Sequence, residues 1–286
     1  MQINSNDLCY HLEVCGVSKG FPLLLLHGFT GDASTWLPFC PSWGKHSRLI
    51  IPDIIGHGKT EAPEEIHRYS IEAAAADMIV LLDQLEIAQI DVLGYSMGGR
   101  LALTIALLYP ERVRKLILAS SSPGLKTEEE RTFRRMKDGE LADFINEHGI
   151  QSFVDYWEAI PLFSTMVNLP NRIKESIREQ RLSNSTTGLT NSLLGMGTGS
   201  QPSWWEKLNM LTCEVLLITG EKDEKFCRIA EKMQAEMKKA LWIVINDGGH
   251  AIHVEQKEKF GTIVSDFLSI KTKEEDCFDS RMDCKS

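Results

Sequence analysis

The first 120 residues of the chain alternate short apolar segments with longer helical segments. The apolar segments are residues 23–26, 49–51, 90–93 and 116–118. Segments this short and this uniformly apolar are typical of strands that are buried on both faces. Between them, Ser70 is placed to cap a helix over residues 71–85, and Pro110 ends a second helix over residues 99–109. This alternation predicts an α/β fold in which helices flank a mostly parallel sheet.

The alternation is interrupted in the second half of the chain. Residues 122–210 are polar and helical in pattern, without a clear buried strand. Beyond them, the predicted elements are strands at 215–219 and 242–245 and a closing helix at 263–270. The sequence therefore predicts a helical cap inserted between late strands of the sheet. The expected divisions are a first core part at 1–121, the cap at 122–210, a second core part at 211–270 and a polar C-terminal tail at 271–286.

The charge balance limits the partners of the chain. There are 31 Lys and Arg residues against 40 Asp and Glu residues, and the formal net charge is −9. A chain this acidic is a poor general partner for nucleic acid, whose phosphates are bound by Lys and Arg. We therefore expect no nucleic-acid partner, and the sequence does not indicate an oligomeric state. With 43% hydrophobic residues, the composition also excludes disordered and fibrous classes.

The N-terminus and the cysteines predict a cytoplasmic location. Residues 1–7 lack the basic and apolar regions of a signal peptide, and no apolar run approaches the roughly 18 residues of a membrane span. The seven cysteines are odd in number and show no C-x-x-C spacing. We expect reduced thiols, no membrane span, and Cys277 and Cys284 in the C-terminal tail.

The pentapeptide Gly94-Tyr95-Ser96-Met97-Gly98 directly follows one predicted strand and directly precedes a predicted helix. A G-x-S-x-G sequence in this position is typical of a nucleophile elbow, in which glycines allow the strand and helix to approach around a strained serine. A serine hydroxyl reacts only when an imidazole takes its proton and a carboxylate orients that imidazole. The motif therefore predicts that Ser96 is catalytic, together with a histidine and an acid later in the chain.

Two later residues follow predicted strands at suitable offsets. Asp223 lies just beyond the strand at 215–219, and His250 lies just beyond the strand at 242–245. This order of serine, acid and histidine is that of a hydrolase triad on an α/β sheet. The alternatives left open by spacing are Glu221 or Glu224 as the acid and His253 as the base. His250 and His253 have no third ligand at a plausible spacing, so the sequence predicts no metal and no cofactor.

Two backbone N–H groups are candidates for an oxyanion hole. One belongs to Met97, directly after the serine, and the other belongs to Phe29, in the loop after the strand at 23–26. Arg100 lies one helical turn beyond Ser96, on the same helix face, and is therefore expected close to the site.

The whole pattern resembles the α/β-hydrolase superfamily over nearly the entire chain. More narrowly, it is similar to the 2-succinyl-6-hydroxy-2,4-cyclohexadiene-1-carboxylate (SHCHC) synthases of menaquinone biosynthesis. The segments that carry this resemblance are residues 94–100, 123–125, 156–157, 161–163, 195–202, 220–226 and 249–256, with Arg134 and Arg181.

The resemblance implies a lyase rather than a hydrolase. Members of this family eliminate pyruvate from a cyclohexene that carries an enolpyruvyl ether, a ring carboxylate and a succinyl group. Three carboxylates favour several arginines, and the resemblance assigns substrate binding to Arg100, Arg134 and Arg181. Tyr95 and Trp157 are interpreted either as contacts to the substrate ring or as core residues. The expected ligand is thus a small polycarboxylate.

Two other functions remain open from the sequence. A serine hydrolase that cleaves an ester or a carbon–carbon bond would use the same triad, with Ser96 as a covalent nucleophile. A catalytically silent, ligand-binding member of the fold is the third. A hydrolase of this kind predicts a largely apolar pocket, whereas the lyase predicts converging arginines.

Overall fold

The computed structural model describes residues 1–269, so the predicted tail with Cys277 and Cys284 lies outside the described residues. The strands are β1 (Gln2–Ser5), β2 (Leu8–Gly16), β3 (Phe21–Leu26), β4 (Ser47–Pro52), β5 (Ile90–Tyr95), β6 (Val113–Ala119), β7 (Glu214–Gly220) and β8 (Ala240–Ile245). They form one sheet in the order β1-β2-β4-β3-β5-β6-β7-β8. All pairs from β4 to β8 are parallel, so the predicted mostly parallel sheet is confirmed.

The antiparallel strands β1 and β2 were not predicted from the sequence. In β2 the side chains alternate between buried and partly exposed, so the strand has no continuous apolar run. It pairs with β1 on one side and with β4 on the other, which places it at the outer part of the sheet. Only its buried face contributes to the core, and the interpretation based on uniformly apolar segments therefore overlooked it.

The helices are α1 (Cys40–Trp43), α2 (Ile71–Gln84), α3 (Met97–Leu108), α4 (Glu128–Ala159), α5 (Asn171–Leu182), α6 (Thr186–Met196), α7 (Glu224–Glu236), α8 (Ile252–Glu255) and α9 (Lys257–Ser269). The Ser70 side chain accepts from Ala73 N, as expected for the N-cap of α2. Two predicted helix starts are wrong. Helix α3 begins at Met97, within the pentapeptide, rather than at residue 99. Helix α9 begins at Lys257 rather than at residue 263, and its polar first turn was overlooked because it does not fit the apolar pattern.

Successive residues of the central strands face two separate apolar cores. In β3, Leu24 and Leu26 pack with α2 and α3 on one face of the sheet. Leu23 and Leu25 pack on the other face with Trp36, Trp43 and α9 residues such as Phe260. This alternation explains the uniformly apolar strands, because both faces of the sheet are covered.

Between β6 and β7 the chain is helical, as predicted for an insertion between late strands. We refer to residues 122–210 as the helical segment. Its first helix, α4, begins with a capping box at Thr127 and is kinked at Gly149, which has a φ of 76°. A third apolar cluster joins α4 and α6, and Phe29 of the core packs against it. The helical segment is therefore anchored next to one of the predicted oxyanion donors.

The expectation of reduced thiols is wrong for one pair. Cys15, in β2, and Cys40, at the start of α1, form a disulfide across 25 residues of sequence. The fold brings them together because Val17 N donates to Gly44 O just beyond the two elements. Sequence spacing alone contains no sign of this contact. Cys9, Cys213 and Cys227 are free thiols.

None of the helices within residues 1–269 is both long enough and apolar enough to cross a membrane.

Candidate active site

Ser96 occupies the sharp turn between β5 and α3. Its φ is 50° and its ψ is −108°, a backbone conformation that L-residues rarely adopt. The turn fits only because its neighbours are glycines: a Cβ on Gly94 would lie 2.2 Å from Gly98 O, and one on Gly98 would lie 2.3 Å from Leu26 O. The predicted nucleophile elbow is present, with the serine at the carboxyl end of a central strand.

The three predicted triad residues lie together. His250 Nε2 is 3.0 Å from Ser96 Oγ, and His250 Nδ1 is 2.7 Å from Asp223 Oδ2. Both the His250 and Asp223 side chains are buried. An Nδ1–H that donates to the carboxylate leaves Nε2 free to accept the serine proton. The arrangement can generate a basic or nucleophilic oxygen at Ser96.

The rival residues have other partners. Glu221 Oε2 accepts from Asp247 N, and Glu224 pairs with Arg228 at 3.2 Å on the surface. The centres of the His253 and Tyr95 rings are 4.3 Å apart. The ring that lies within hydrogen-bond distance of Ser96 Oγ is that of His250, not that of His253. Burial lowers the pKa of His253 to about 3, so the ring is neutral at pH 7. This geometry favours Asp223 and His250.

The two candidate oxyanion donors flank the serine. Met97 is the first residue of α3, and N–H groups in the first turn of a helix have no partner inside the helix. Phe29 lies in the loop after β3 and lines the same cavity as Ser96. Its ring packs edge-on to Trp157, at 5.4 Å between ring centres. The helix N-terminus adds a positive potential at the position where a substrate oxygen would become charged.

The cavity over Ser96 has a volume of about 190 Å³. The sequence-predicted residues that line it are Phe29, Tyr95, Ser96, Met97, Arg100, Arg134, Trp157 and His250. Asp223 lies behind His250 and does not line the cavity. Trp157 Nε1 is buried and has no hydrogen-bond partner within residues 1–269, so the indole is a donor available beside the cavity.

Arg100 is buried and connects the core to the helical segment. One of its guanidinium nitrogens, Nη1, donates to Met196 O at 2.6 Å and to the Gln201 side chain. Burial lowers the pKa of Arg100 to about 10, which still leaves it charged at pH 7. Arg100 therefore fixes the end of α6 over the site and adds a positive charge to the cavity.

Arg134 is held by an acid that the sequence analysis missed. Its Nε donates to Asp138 Oδ1 at 2.7 Å, and the Asp138 carboxylate is buried one helical turn further along α4. In the sequence, Asp138 looked like one more polar residue of a charged helix. Its burial, rather than its spacing, distinguishes it from surface acids.

Lys225 is a second residue that the sequence analysis missed. It lines the cavity with Arg100 and Arg134, and it is an exposed residue. Within the described residues its ammonium has no hydrogen-bond or ion-pair partner, and it lies 5.5 Å from the Phe226 ring centre. The pKa of Lys225 is lowered mainly by partial desolvation and, to a smaller extent, by the positive charge of Arg134. The sequence feature that could have predicted its place in the site is its position two residues after Asp223.

Arg181 is the one predicted arginine that does not line the Ser96 cavity. It faces a neighbouring cavity of about 540 Å³. Its guanidinium lies 5.0 Å from the centre of the Phe163 ring, and Nη1 is 3.3 Å from Glu158 Oε1. Burial lowers the pKa of Arg181. The structure thus divides the predicted arginines between two cavities.

No group of three or more His, Cys, Asp or Glu side chains in the described part of the chain is arranged to hold a metal ion.

Comparisons with known families, sequences and structures all find proteins of the same fold. A family described as "alpha/beta hydrolase fold" matches residues 22–257. A putative SHCHC synthase of Bacillus subtilis is 47% identical over 93% of this chain and 96% of its own length. An SHCHC synthase of Photorhabdus laumondii is 28% identical over 88% of this chain and 87% of its own length. The structure of MenH from S. aureus superimposes with a TM-score of 0.86 at 34% identity, and the match covers 91% of this chain and 97% of MenH.

Proposed function

Because the chain belongs to the α/β-hydrolase fold family and, within it, to the SHCHC synthases, we propose that it eliminates pyruvate with Ser96, His250 and Asp223 as its catalytic triad. The substrate is 2-succinyl-5-enolpyruvyl-6-hydroxy-3-cyclohexene-1-carboxylate, and the product is SHCHC of menaquinone biosynthesis. The enzyme is a carbon–oxygen lyase on a hydrolase fold.

The first step removes the proton on ring carbon 2. This carbon carries the succinyl group, so the electrons released by deprotonation move onto the succinyl carbonyl oxygen. Ser96 Oγ acts as the base, because its own proton is accepted by His250 Nε2, which Asp223 orients. The N–H groups of Phe29 and Met97 stabilise the oxygen that becomes negative.

The second step expels the leaving group from ring carbon 5. The enolate electrons return to form the C2=C3 double bond, the existing C3=C4 bond moves to C4=C5, and the C5–O bond breaks. The enolate of pyruvate leaves and takes up the proton held by the Ser96–His250 pair. Atoms and electrons balance without another reactant, so no acyl-enzyme is formed.

The observation that carries this proposal is the cluster of cations at the triad. Arg100, Arg134 and Lys225 line the same cavity as Ser96, with Asp138 as the buried acid beside them. A substrate with three carboxylates is attracted to such a cavity, whereas a neutral ester gains nothing from it. This favours the lyase over the serine-hydrolase alternative, which predicts an apolar pocket.

The test is to incubate the protein with the enolpyruvyl substrate and to follow pyruvate release with a coupled dehydrogenase. Ser96→Ala is the control for background elimination. A neutral p-nitrophenyl ester, assayed in parallel, tests the hydrolase alternative. Ester turnover without pyruvate release, or a stoichiometric adduct on Ser96 during turnover, would reverse the assignment.

The cytoplasmic location, the lack of a nucleic-acid partner and the role of residues 122–210 as a cap stay predictions. The small polycarboxylate ligand follows from the proposed reaction.

A further inference from the structure

The loop that carries His250 joins β8 to α8 and consists of residues 246–251. Its first half is fastened to the loop after β7, because Lys222 N donates to Gly248 O at 2.8 Å. This contact ends before the histidine. The position of His250 therefore depends on what holds the second half of the loop.

Glu255, the last residue of α8, binds the second half of the loop. Its Oε2 accepts from Gly249 N at 2.8 Å, and its Oε1 accepts from Ala251 N at 3.1 Å. The two oxygens of one carboxylate thus bind the N–H groups directly before and directly after His250. Within residues 1–269 neither N–H has another partner, and a buried N–H without a partner is costly. Glu255 therefore fixes the backbone on both sides of this histidine.

The Glu255 carboxylate has no ion-pair partner in the described part of the chain. The residue is half-buried, and a carboxylate that loses solvent needs hydrogen bonds or an opposite charge in exchange. The two N–H groups of the loop supply these hydrogen bonds. A Cβ on Gly249 would lie 2.8 Å from Glu255 Oε2, so the loop approaches the carboxylate too closely for a side chain to fit between them. The acid and the His250 loop are thus fitted to each other.

The His250 ring has little freedom to compensate for a movement of its backbone. It packs against two aromatic rings, at 4.6 Å from Phe226 and 6.1 Å from Phe163 between ring centres. Its Nε2 is 3.0 Å from Ser96 Oγ, and its Nδ1 is 2.7 Å from Asp223 Oδ2. A backbone movement of about 1 Å would carry the ring out of hydrogen-bond range of one of these partners. The alignment of the triad therefore depends on the backbone of the loop.

We propose that Glu255 is a positioning residue for the reaction: its carboxylate binds the two N–H groups that flank His250 and so holds the imidazole in line with Ser96 and Asp223. This inference rests on the proposed function, in which His250 accepts the serine proton. Glu255 does not line the Ser96 cavity. It acts through the backbone of the His250 loop and not on the substrate.

The test compares Glu255→Gln with Glu258→Gln. In Glu255→Gln the amide oxygen can still accept from one N–H, but the amide nitrogen then faces the other N–H, and that hydrogen bond is lost. We expect kcat for pyruvate release to fall by about 10- to 100-fold, because a misplacement of about 1 Å has an effect of this size. KM should stay within about twofold, since Glu255 does not bind the substrate.

Glu258 provides the matched control. It is exposed in the first turn of α9, and its carboxylate has no hydrogen-bond partner among the described residues. Glu258→Gln should therefore leave kcat and KM unchanged. Glu255 also lines the cavity that Arg181 faces. A lower KM with an unchanged kcat in Glu255→Gln would mean that its charge merely repels a polycarboxylate there, and the inference would be overturned.

Glu255→Asp separates the charge from the geometry. It keeps the carboxylate on a side chain one methylene shorter, which cannot reach both N–H groups, so kcat should be about as low as in Glu255→Gln. Full recovery of kcat by the aspartate would show that only the charge matters, contrary to the inference. Thermal melting confirms that each variant is folded at the temperature of the assay.

A spectroscopic measurement makes the test independent of turnover. The Nδ1–H of His250 that donates to Asp223 should give a low-field proton signal in NMR spectra, identified by its absence in folded His250→Ala. We expect Glu255→Gln to shift or broaden this signal and Glu258→Gln to leave it in place. An unchanged signal in Glu255→Gln would overturn the inference, whatever the value of kcat. Lack of pyruvate release by the unaltered protein would contradict the proposed function alone, because the signal still decides whether Glu255 positions His250.

Discussion

Asp138 Oδ1 accepts a hydrogen bond from Arg134 Nε at 2.7 Å, and Asp138 Oδ2 has no partner within residues 1–269. One oxygen of the Asp138 carboxylate therefore orients Arg134, and the other oxygen accepts no hydrogen bond from the described residues. Arg134→Ala is expected to lower kcat/KM for pyruvate release by about 10- to 150-fold, because a charge-assisted contact is worth about 1.5–3 kcal/mol. Arg134→Lys should recover part of the loss, since it keeps the charge but not the planar fork.

The neighbouring Arg135 is the control for this prediction. It pairs with Glu128 on the surface, and Arg135→Ala should leave kcat/KM unchanged. Similar losses in the Arg134 and Arg135 variants would show that α4 merely needs its charges to fold. Thermal melting of each variant separates that case from a loss of substrate binding.

Removal of either reacting triad residue should abolish elimination but not the fold. Ser96→Ala and His250→Ala are each expected to lower kcat for pyruvate release by roughly 10⁴-fold or more. The unchanged fold is checked by circular dichroism. Near-normal release from either folded variant would exclude proton abstraction by Ser96.

Lys222, in the loop before α7, is a matched comparison for Lys225, in the first turn of α7. Lys225 lines the Ser96 cavity, whereas Lys222 pairs with Asp247 at 3.2 Å on the surface. We expect Lys225→Met to raise KM or lower kcat so that kcat/KM falls by about tenfold or more, and Lys222→Met to have no effect. Lys225→Arg should be intermediate. If Lys225→Met and Lys222→Met have the same kcat/KM, Lys225 takes no part in substrate binding.

Three buried histidines make the fold sensitive to acid. Burial lowers the pKa of His27 to about 4 and the pKa values of His57 and His253 to about 3, below the roughly 6.5 of an unfolded chain. The unfolded state therefore binds more protons below pH 6.5. The free energy of unfolding should fall as the pH drops, by up to about 1.4 kcal/mol per pH unit for each histidine.

This pH dependence is measured by urea unfolding between pH 7.5 and pH 5. His253→Phe keeps a ring in the core and should make the decline shallower by about one histidine. His148→Gln changes an exposed residue of α4 and should not alter it. A decline of the same steepness in the His253 variant would refute the assignment of this pKa.

The predicted triad and its observed geometry agree for a simple reason. Ser96, Asp223 and His250 each follow a strand, and parallel strands place their carboxyl ends at one edge of the sheet. The elbow motif, the strand pattern and the residue order therefore all predict the same edge. No side-chain packing had to be known to bring these three residues together.

The rest of the site depends on packing between elements that are distant in sequence. The separation of Arg181 from Arg134 follows from how α5 lies beside α4, which no local pattern encodes. Asp138 differs from the acids around it only by being buried. The Cys15–Cys40 disulfide likewise arises because β2 and α1 meet in the fold. Sequence reasoning predicted the candidate reactive groups, and the tertiary structure shows how they are divided in space.

The ring of Phe29 packs against both Phe153 and Trp157 of α4, at 6.1 Å and 5.4 Å between ring centres. In the proposed mechanism, the backbone N–H of the same residue binds the reacting carbonyl. The helical segment and the residue that carries one of the two proposed hydrogen-bond donors therefore form a single packed unit. A substitution such as Phe153→Ala would loosen both parts of this unit, so the proposed mechanism makes the precision of catalysis depend in part on the apolar contacts of the inserted helices.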